Sequence, residues 1–342
     1  MKKVQIYIRE CGYGGIEKQA MILANALCSI YNIEIVILGT VSIEQLDLNK
    51  KINVVELGVK NTKGKFGEMK LNNVLKKFAL RSDADTLIST DVVFNGVLGK
   101  CKKNRNLIYW EYKLNINEYG NLEKSLVNFN RVVLPNEFMK DCYTIKNVEV
   151  SVIPLCFEGM PDNPSDLKSD NIIALGRLNK NKCYDDLIEI MDKVHQKNGR
   201  IKLHIIGDGE EKNKLKDMVK NKKLEKNVFF EGFLSKEKIN AMMENSSLFV
   251  SCARKESFGV SIIEAMSYGI PCVSYEHTSL RDFMKNEING YLVGNRDKNK
   301  MAECILEVMM NKELRDSLGN CARETSIIYD INSVKSEWLK II

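Results

Sequence analysis

Two glutamates in the second half of the chain, Glu256 and Glu264, bracket a Phe-Gly pair at the start of an apolar helical pattern. The first N–H groups of a helix lack intrahelical partners and, with the positive end of the helix dipole, favour a phosphate in front of Gly259. Carboxylates beside that phosphate can accept hydrogen bonds from hydroxyl groups. Phosphate next to paired hydroxyl acceptors predicts a site for a nucleotide sugar.

Three further loops follow predicted strands directly. The loop at 12–15 ends in Gly14 and Gly15, the loop at 176–182 reads Gly-Arg-Leu-Asn-Lys-Asn-Lys, and the loop at 207–211 contains Gly207 and Gly209. Ligands of open α/β sheets lie outside the carboxyl ends of the strands, which makes all three loops candidates for ligand contacts.

The segment from Glu256 to Glu264 resembles the donor-site motif of the retaining glycosyltransferases of family 4, in which two Glu separated by seven residues flank a Phe-Gly turn. The loop at 176–182 looks like the Gly-Arg-Leu-x-x-x-Lys loop of the same family. The resemblance covers most of the chain and is strongest from 171 to 293. It implies the α/β GT-B fold, in which two Rossmann-like, doubly wound parallel-sheet domains face a cleft.

Arg177 and Lys182 are the predicted catalytic cations. Breaking a sugar–phosphate bond leaves a nucleoside diphosphate with growing negative charge, which fixed cations stabilise more in the transition state than in the ground state. An ordinary solvated surface position remains the alternative for Lys182.

The remaining donor-site roles are implied by the resemblance. Glu256, the third predicted catalytic residue, would hold the transferred sugar, and Glu264 would hold the ribose hydroxyls. Anomeric configuration would be retained, with a phosphate oxygen of the donor as the candidate proton acceptor. The other predicted donor-binding residues, which contact the diphosphate or approach the nucleotide through their backbone, are Gly14, Gly15, Gly207, Gly209, Ser257, Phe258, Gly259 and Val260.

The glycine loop at 12–15 also invites a dinucleotide-binding interpretation. The dehydrogenase fingerprint Gly-x-Gly-x-x-Gly would place its third glycine at Glu17, which argues against that class. A simple tight turn at Gly14 and Gly15 stays open.

Two departures from the family pattern affect the sugar and the acceptor. The family's Gly-Gly or Gly-Pro pair is replaced by the bulkier stretch 277–282, and its acceptor-side His is replaced by Glu111 or Tyr112. These last two residues are the acceptor-side candidates, and a role for either in proton transfer is left open.

Strands alternate with helical patterns through the whole chain, which is typical of parallel sheets covered on both faces. We predict an acceptor-binding domain at 1–160, a nucleotide-sugar-binding domain at 161–326 and a helix at 327–342 that crosses back to the first domain. The predicted strands are 4–8, 33–38, 53–57, 86–90, 106–110, 131–134, 150–153, 171–175, 201–206, 227–231, 248–251, 271–275 and 291–293.

Composition narrows the class further. The chain has 342 residues, 28% charged and 44% hydrophobic, without an apolar run of membrane-spanning length or a signal-peptide pattern, and we expect a cytoplasmic protein. Its ten cysteines form no Cys-x-x-Cys pair, and no Asp-x-Asp or His cluster predicts a metal site. We expect neither a metal nor a cofactor besides the donor, and no nucleic acid partner.

A basic amphipathic run leaves peripheral membrane association open beside an ordinary surface helix. Its members are Lys60, Lys63, Lys65, Lys70, Lys76, Lys77 and Arg81, with Leu71, Val74, Leu75 and Phe78 on one helical face.

The sequence therefore predicts a retaining, metal-independent hexosyltransferase that uses a nucleotide sugar, expected to be a UDP-sugar. Its acceptor would be a glycan or lipid-linked molecule of bacterial surface polysaccharide synthesis, met at the inner face of the plasma membrane if the basic run binds lipid. The alternatives are a nucleotide-sugar epimerase or phosphorylase of the same fold, or a non-catalytic nucleotide-sugar-binding protein.

Overall fold

The computed structural model describes residues 1–9, 15–40, 47–59, 64–112, 119–143 and 145–342. These residues form two compact units, of which unit 1 comprises Met1–Glu158 with Tyr329–Ile342 and unit 2 comprises Gly159–Ile328. Gly14, a predicted donor-site residue, lies outside the described residues, as do Lys60 and Lys63 of the basic run.

Unit 1 contains a seven-stranded sheet in the order β3-β2-β1-β4-β5-β6-β7, and all its neighbouring strands are parallel. The strands are β1 (Lys3–Ile8), β2 (Asn32–Ile37), β3 (Asn53–Glu56), β4 (Thr86–Ser89), β5 (Asn106–Trp110), β6 (Arg131–Leu134) and β7 (Glu149–Val152). The helices of this unit are α1 (Gly15–Leu27), α2 (Gly64–Arg81), α3 (Val92–Leu98), α4 (Tyr119–Ser125), α5 (Glu137–Cys142) and α12 (Ile331–Leu339).

Unit 2 contains a six-stranded parallel sheet in the order β10-β9-β8-β11-β12-β13. The strands are β8 (Asn171–Leu175), β9 (Lys202–Ile206), β10 (Val228–Gly232), β11 (Leu248–Ser251), β12 (Cys272–Tyr275) and β13 (Gly290–Val293). The helices are α6 (Tyr184–Lys197), α7 (Lys212–Asn221), α8 (Lys236–Glu244), α9 (Val260–Ser267), α10 (Lys298–Met310) and α11 (Lys312–Ser326).

The strands form where short apolar runs can be buried on both faces of a parallel sheet. In β12 all four residues are buried, and in β8 Ile172 and Ile173 are inaccessible to solvent. All thirteen predicted strands are present, with ends that differ by no more than one residue from the prediction. The predicted α/β class is therefore confirmed.

The helices cover the sheets with their apolar faces. Helix α6 buries Leu187, Ile190 and Met191 in the core of unit 2. Helix α2 likewise buries Leu71 and Leu75 in the core of unit 1, so its apolar face is used inside the unit, as in an ordinary surface helix. Among the described residues, no helix combines the length and hydropathy needed to cross a membrane.

The final helix, α12, is part of unit 1 although it follows unit 2 in sequence. Trp338 packs against Trp110 of β5 in an edge-on contact with ring centroids 4.8 Å apart. The backbone N–H of Phe157 donates to Tyr329, and that of Ile331 donates to Phe157, at 3.2 and 3.1 Å. Burial of two indole rings against each other contributes to the stability of this unit.

Candidate active site

The sheet of unit 2 reverses its winding direction between β8 and β11. Strands β9 and β10 extend the sheet on one side of β8, whereas β12 and β13 extend it on the other side of β11. The loops that leave β8 and β11 separate at this point, and such a switch point is where α/β sheets bind ligands. The loops 176–182 and 252–259 both lie here.

Glycines let the loop after β9 approach the loop after β8 closely. Gly207 has φ +134°, and a Cβ atom on it would lie 2.1 Å from the carbonyl oxygen of Gly176. A Cβ atom on Gly209 would lie 2.3 Å from the carbonyl oxygen of Leu178. Backbone cannot yield as a flexible side chain does, so only glycine at these two predicted donor-site positions allows the loops to approach this closely.

Hydrogen bonds join the loop after β8 to the loop after β11. The backbone N–H of Arg254 donates to the carbonyl of Asn181 at 2.8 Å, and the Asn181 amide donates to the carbonyl of Lys255 at 2.9 Å. Asn181 directly precedes Lys182 and Lys255 directly precedes Glu256, so these bonds hold the lysine and the glutamate close to each other.

Lys182 and Glu256 form an ion pair between Nζ and Oε1. Their side chains are 21% and 18% exposed, so the pair is largely shielded but still reachable from solvent. The ammonium also lies close to Gly176, since a Cβ atom there would be 3.4 Å from Nζ. The structure therefore brings together two of the three predicted catalytic side chains.

The third predicted catalytic residue, Arg177, occupies a different environment. Its side chain is 74% exposed, and its Nε lies 3.7 Å from Oε2 of Glu210. The sequence motif places Arg177 five positions before Lys182, but the structure shows an ion pair with the loop after β9 instead of one with Glu256.

Helix α9 begins at the predicted Phe-Gly turn. Gly259 is the N-cap residue with φ +95°, where a Cβ atom would meet Leu280 Cδ2 at 2.7 Å. Phe258 is buried and packs against Phe283 with ring centroids 5.8 Å apart. The buried ring fixes the turn, and a glycine at the cap leaves the helix N terminus without a side chain in front of it. Glu264 lies on α9 and is half-buried.

The loop after β9 carries a second acidic group. Asp208 accepts hydrogen bonds from Lys212 Nζ at 2.5 Å and from the backbone N–H of Gly209 at 2.8 Å. The ammonium of Lys212, and after it this N–H, lower the pKa of Asp208. Asp208 thus stabilises the loop after β9 and is not the N-cap of the next helix. The N-cap of α7 is Glu211, whose side chain makes no cap hydrogen bond.

The acceptor-side candidates lie in unit 1, after β5. Glu111 is buried, and its carboxylate accepts from the Tyr109 hydroxyl at 2.9 Å and from the backbone N–H of Tyr112 at 2.8 Å. Burial, followed by the charge of Glu111, raises the pKa of Tyr109. Gly15, the described member of the first glycine loop, begins α1, and a Cβ atom placed on it would meet no heavy atom of the described residues within 4 Å.

Sequence patterns did not reveal a hydrogen-bonded chain beside Glu256. Ser279 Oγ donates to the carbonyl oxygen of Glu256 at 2.6 Å and lies 2.9 Å from Nδ1 of His277. Both residues belong to the stretch 277–282 that departs from the family pattern. This departure from the family pattern is the one feature of the sequence that points to these residues. Their contact with Glu256 depends on how the loops after β11 and β12 meet, which no local pattern shows.

In the described part of the chain, no group of three or more His, Cys, Asp or Glu side chains is arranged to hold a metal ion.

Comparisons with known proteins agree with this geometry. Residues 158–325 match the family "Glycosyl transferases group 1". A poly(ribitol-phosphate) alpha-N-acetylglucosaminyltransferase of Staphylococcus aureus is 31% identical over 63% of this chain, but that alignment spans only 42% of the relative. The GalNAc-alpha-(1->4)-GalNAc-alpha-(1->3)-diNAcBac-PP-undecaprenol alpha-1,4-N-acetyl-D-galactosaminyltransferase of Campylobacter jejuni is 26% identical over 100% of this chain and 98% of its own length.

A solved structure extends the likeness to the whole fold. A mutant of S. aureus TarM, crystallised with fondaparinux, alpha-GlcNAc-glycerol and UDP, superposes with a TM-score of 0.81 over 100% of this chain and 99% of its own, at 18% identity. Two parallel-sheet units with their loops at the switch point define the GT-B fold of glycosyltransferases. Residues 158–325, which cover nearly all of unit 2, belong to the glycosyl transferases group 1.

Proposed function

We propose that this protein is a retaining, metal-independent hexosyltransferase. It would move a sugar from a UDP-sugar to a glycan or lipid-linked acceptor of a bacterial surface polysaccharide. The observation that carries the proposal is the contact between the Lys182 ammonium and the Glu256 carboxylate at the switch point of unit 2. One group suits the leaving diphosphate and the other suits the hydroxyls of the transferred sugar.

The ion pair gives the site two opposite charges that must separate when the donor binds. Lys182 would turn to the diphosphate, whose negative charge grows as the bond to the sugar breaks. Glu256 would accept hydrogen bonds from sugar hydroxyls. The backbone at the start of α9, with Gly259 at its cap, would receive a phosphate oxygen, and Glu264 further along the same helix would accept from the ribose.

In the proposed reaction, a lone pair of the acceptor hydroxyl forms the new bond to the anomeric carbon. The bond from that carbon to the diphosphate breaks, and its electron pair leaves with the phosphate. The acceptor proton passes to an oxygen of the departing phosphate, on the same face of the sugar, which retains the anomeric configuration. Arg177, more exposed and paired with Glu210, would neutralise charge at the outer side of the diphosphate.

The substrate class is suggested by the similar proteins. The S. aureus relative is named for poly(ribitol-phosphate), the C. jejuni relative for an acceptor on PP-undecaprenol, and the TarM crystal contained UDP. A UDP-sugar donor with a polyol-phosphate or lipid-diphosphate-linked acceptor is consistent with all three.

A thermal-shift panel of UDP-, GDP- and ADP-sugars tests the donor, because a ligand that binds only the folded state raises the melting temperature with its concentration. We expect stabilisation by UDP-sugars above the other two series. Transfer of the selected sugar to a polyol phosphate and to an undecaprenyl-diphosphate glycan then tests the acceptor, and NMR of the product tests retention. Stabilisation by none of the donors, or an inverted product, would contradict the proposal.

A further inference from the structure

The imidazole of His277 offers a single, defined hydrogen-bonding group beside the proposed sugar site. A carbonyl oxygen only accepts, so Ser279 must use its one hydroxyl hydrogen toward the carbonyl of Glu256, at 2.6 Å. The Ser279 oxygen can then only accept from Nδ1 of His277, at 2.9 Å. Nδ1 therefore carries a hydrogen, which fixes the tautomer of the ring.

The other ring nitrogen, Nε2, is buried and has no hydrogen-bond partner among the described residues. Burial, more than any other cause, lowers the pKa of His277 below its usual 6.5. The charge of Glu256 opposes this shift, and the charge of Lys182 adds to it. With Nδ1 protonated and the ring neutral, Nε2 is a bare lone pair that can accept a hydrogen bond.

A buried acceptor without a partner destabilises the folded state, and such groups in native structures call for an explanation. The missing partner must supply an N–H or O–H. A phosphate oxygen of the ionised diphosphate has no hydrogen to give, which excludes the phosphates as the partner. A sugar hydroxyl and the N–H of an acetamido group both qualify.

We propose that His277 is a specificity-determining residue whose Nε2 accepts a hydrogen bond from a hydroxyl or acetamido N–H of the transferred sugar. The inference rests on the proposed function, because it takes Glu256 as the residue that holds this sugar. When the donor separates Lys182 from Glu256, the sugar enters beside Glu256, and Ser279 links that residue to the imidazole. In this arrangement the imidazole contacts the transferred sugar and makes no contact with the nucleotide.

Two amide substitutions test the roles of the two ring nitrogens separately. In His277→Asn the amide can take the place of Nδ1 and keep the bond to Ser279, but nothing replaces Nε2. In His277→Gln the longer amide can place its oxygen where Nε2 was. We expect His277→Asn to weaken binding of the UDP-sugar by roughly 10-fold, as for one lost hydrogen bond, with unchanged binding of UDP. His277→Gln should restore most of the affinity.

A pH titration of UDP-sugar binding, on the wild type and on His277→Gln, provides a second test. Protonation places a hydrogen on Nε2 and removes the acceptor. Affinity should therefore be complete above the pKa of His277 and fall as the pH drops through that value, below 6.5. The His277→Gln protein lacks this titration, so the difference between the two profiles isolates the imidazole from Glu256 and Lys182.

The binding data distinguish failure of this inference from failure of the proposed function. A wild-type protein that binds no UDP-sugar would overturn the proposed function itself. A wild-type protein that binds the UDP-sugar, together with a His277→Asn variant of equal affinity and an equal pH profile, would overturn only the role of His277. Loss of UDP binding in His277→Asn at unchanged melting temperature would also overturn it, because the contact would then be to the nucleotide.

Comparing UDP-glucose with UDP-GlcNAc tells which group donates, since only the second has the acetamido N–H.

Discussion

Replacing Lys182 by Met should slow sugar transfer strongly while leaving the fold nearly as stable as before. Methionine keeps the length and packing of the lysine stem but removes the charge. The ion pair with Glu256 leaves each side chain about one-fifth exposed (21% and 18%), and pairs near the surface contribute only ~0–1 kcal/mol to stability. The melting temperature should therefore change little.

The effect on catalysis follows from the charge that develops on the leaving group. An ammonium about 4 Å from a unit negative charge contributes about 4 kcal/mol at the effective dielectric constant of ~20 that suits a partly shielded site. If about half a charge develops in the transition state, the loss is about 2 kcal/mol, and each 1.4 kcal/mol changes the rate about tenfold. We expect kcat to fall by roughly 30- to 1,000-fold, the upper figure applying to a full charge.

The assay is steady-state transfer from the UDP-sugar identified by thermal shift, with UDP affinity measured by calorimetry on the same samples. Lys180→Met is the matched control, since Lys180 lies on the same loop, is exposed and loses the same charge. Its kcat should stay near the wild-type value. Normal turnover in Lys182→Met, or an equal fall in both variants, would refute the assignment of Lys182 to the leaving group.

The other expectations concern the two glutamates, metal ions and the acceptor side. Glu264→Ala should weaken binding of free UDP by ~1–3 kcal/mol in calorimetry, whereas Glu256→Ala should spare UDP and abolish transfer. If both variants bind UDP as the wild type does, the ribose role of Glu264 is wrong. Transfer should persist in excess EDTA, and a complete loss that Mg²⁺ or Mn²⁺ restores would contradict the metal-free mechanism. Glu111→Gln should depress transfer by ~10²–10⁴-fold with intact UDP affinity if Glu111 acts as a base, and Tyr112→Phe should have the smaller effect. Normal transfer with a lower melting temperature in Glu111→Gln would assign Glu111 to structure, through its bond to Tyr109.

Much of the fold could be predicted because local patterns determine it. Parallel strands buried on both faces need continuous apolar runs, and residues 172–175 of β8 (Ile-Ile-Ala-Leu) form such a run after the polar Asn171. The turn at Gly259 could be predicted because glycine adopts its φ of +95° without strain and an apolar helical pattern follows. These signals lie within a few residues of each other in the sequence.

Less of the site could be predicted because its contacts join loops far apart in the chain. Arg177 and Lys182 share a motif, yet one pairs with Glu210 and the other with Glu256, 74 positions away. The bond from Ser279 to Glu256 likewise depends on the meeting of two loops and has no local signature. The position of Glu111 after an apolar strand gives no sign of its burial, which depends on the hydrogen bond that its carboxylate accepts from the Tyr109 hydroxyl.

The position of α12 has a consequence for the order in which the protein folds during synthesis. Unit 1 is made of the first and last parts of the chain, so the ribosome must complete all of unit 2 before Trp338 can reach Trp110. Until then the sheet of unit 1 lacks the indole ring that packs on β5, whereas every residue of unit 2 is contiguous. At ~5–20 residues per second, the 170 residues from Gly159 to Ile328 impose a delay of roughly ten to thirty seconds. The contact between Trp338 and Trp110 can therefore form only after unit 2 has been synthesised, whereas unit 2 folds from one uninterrupted stretch of chain.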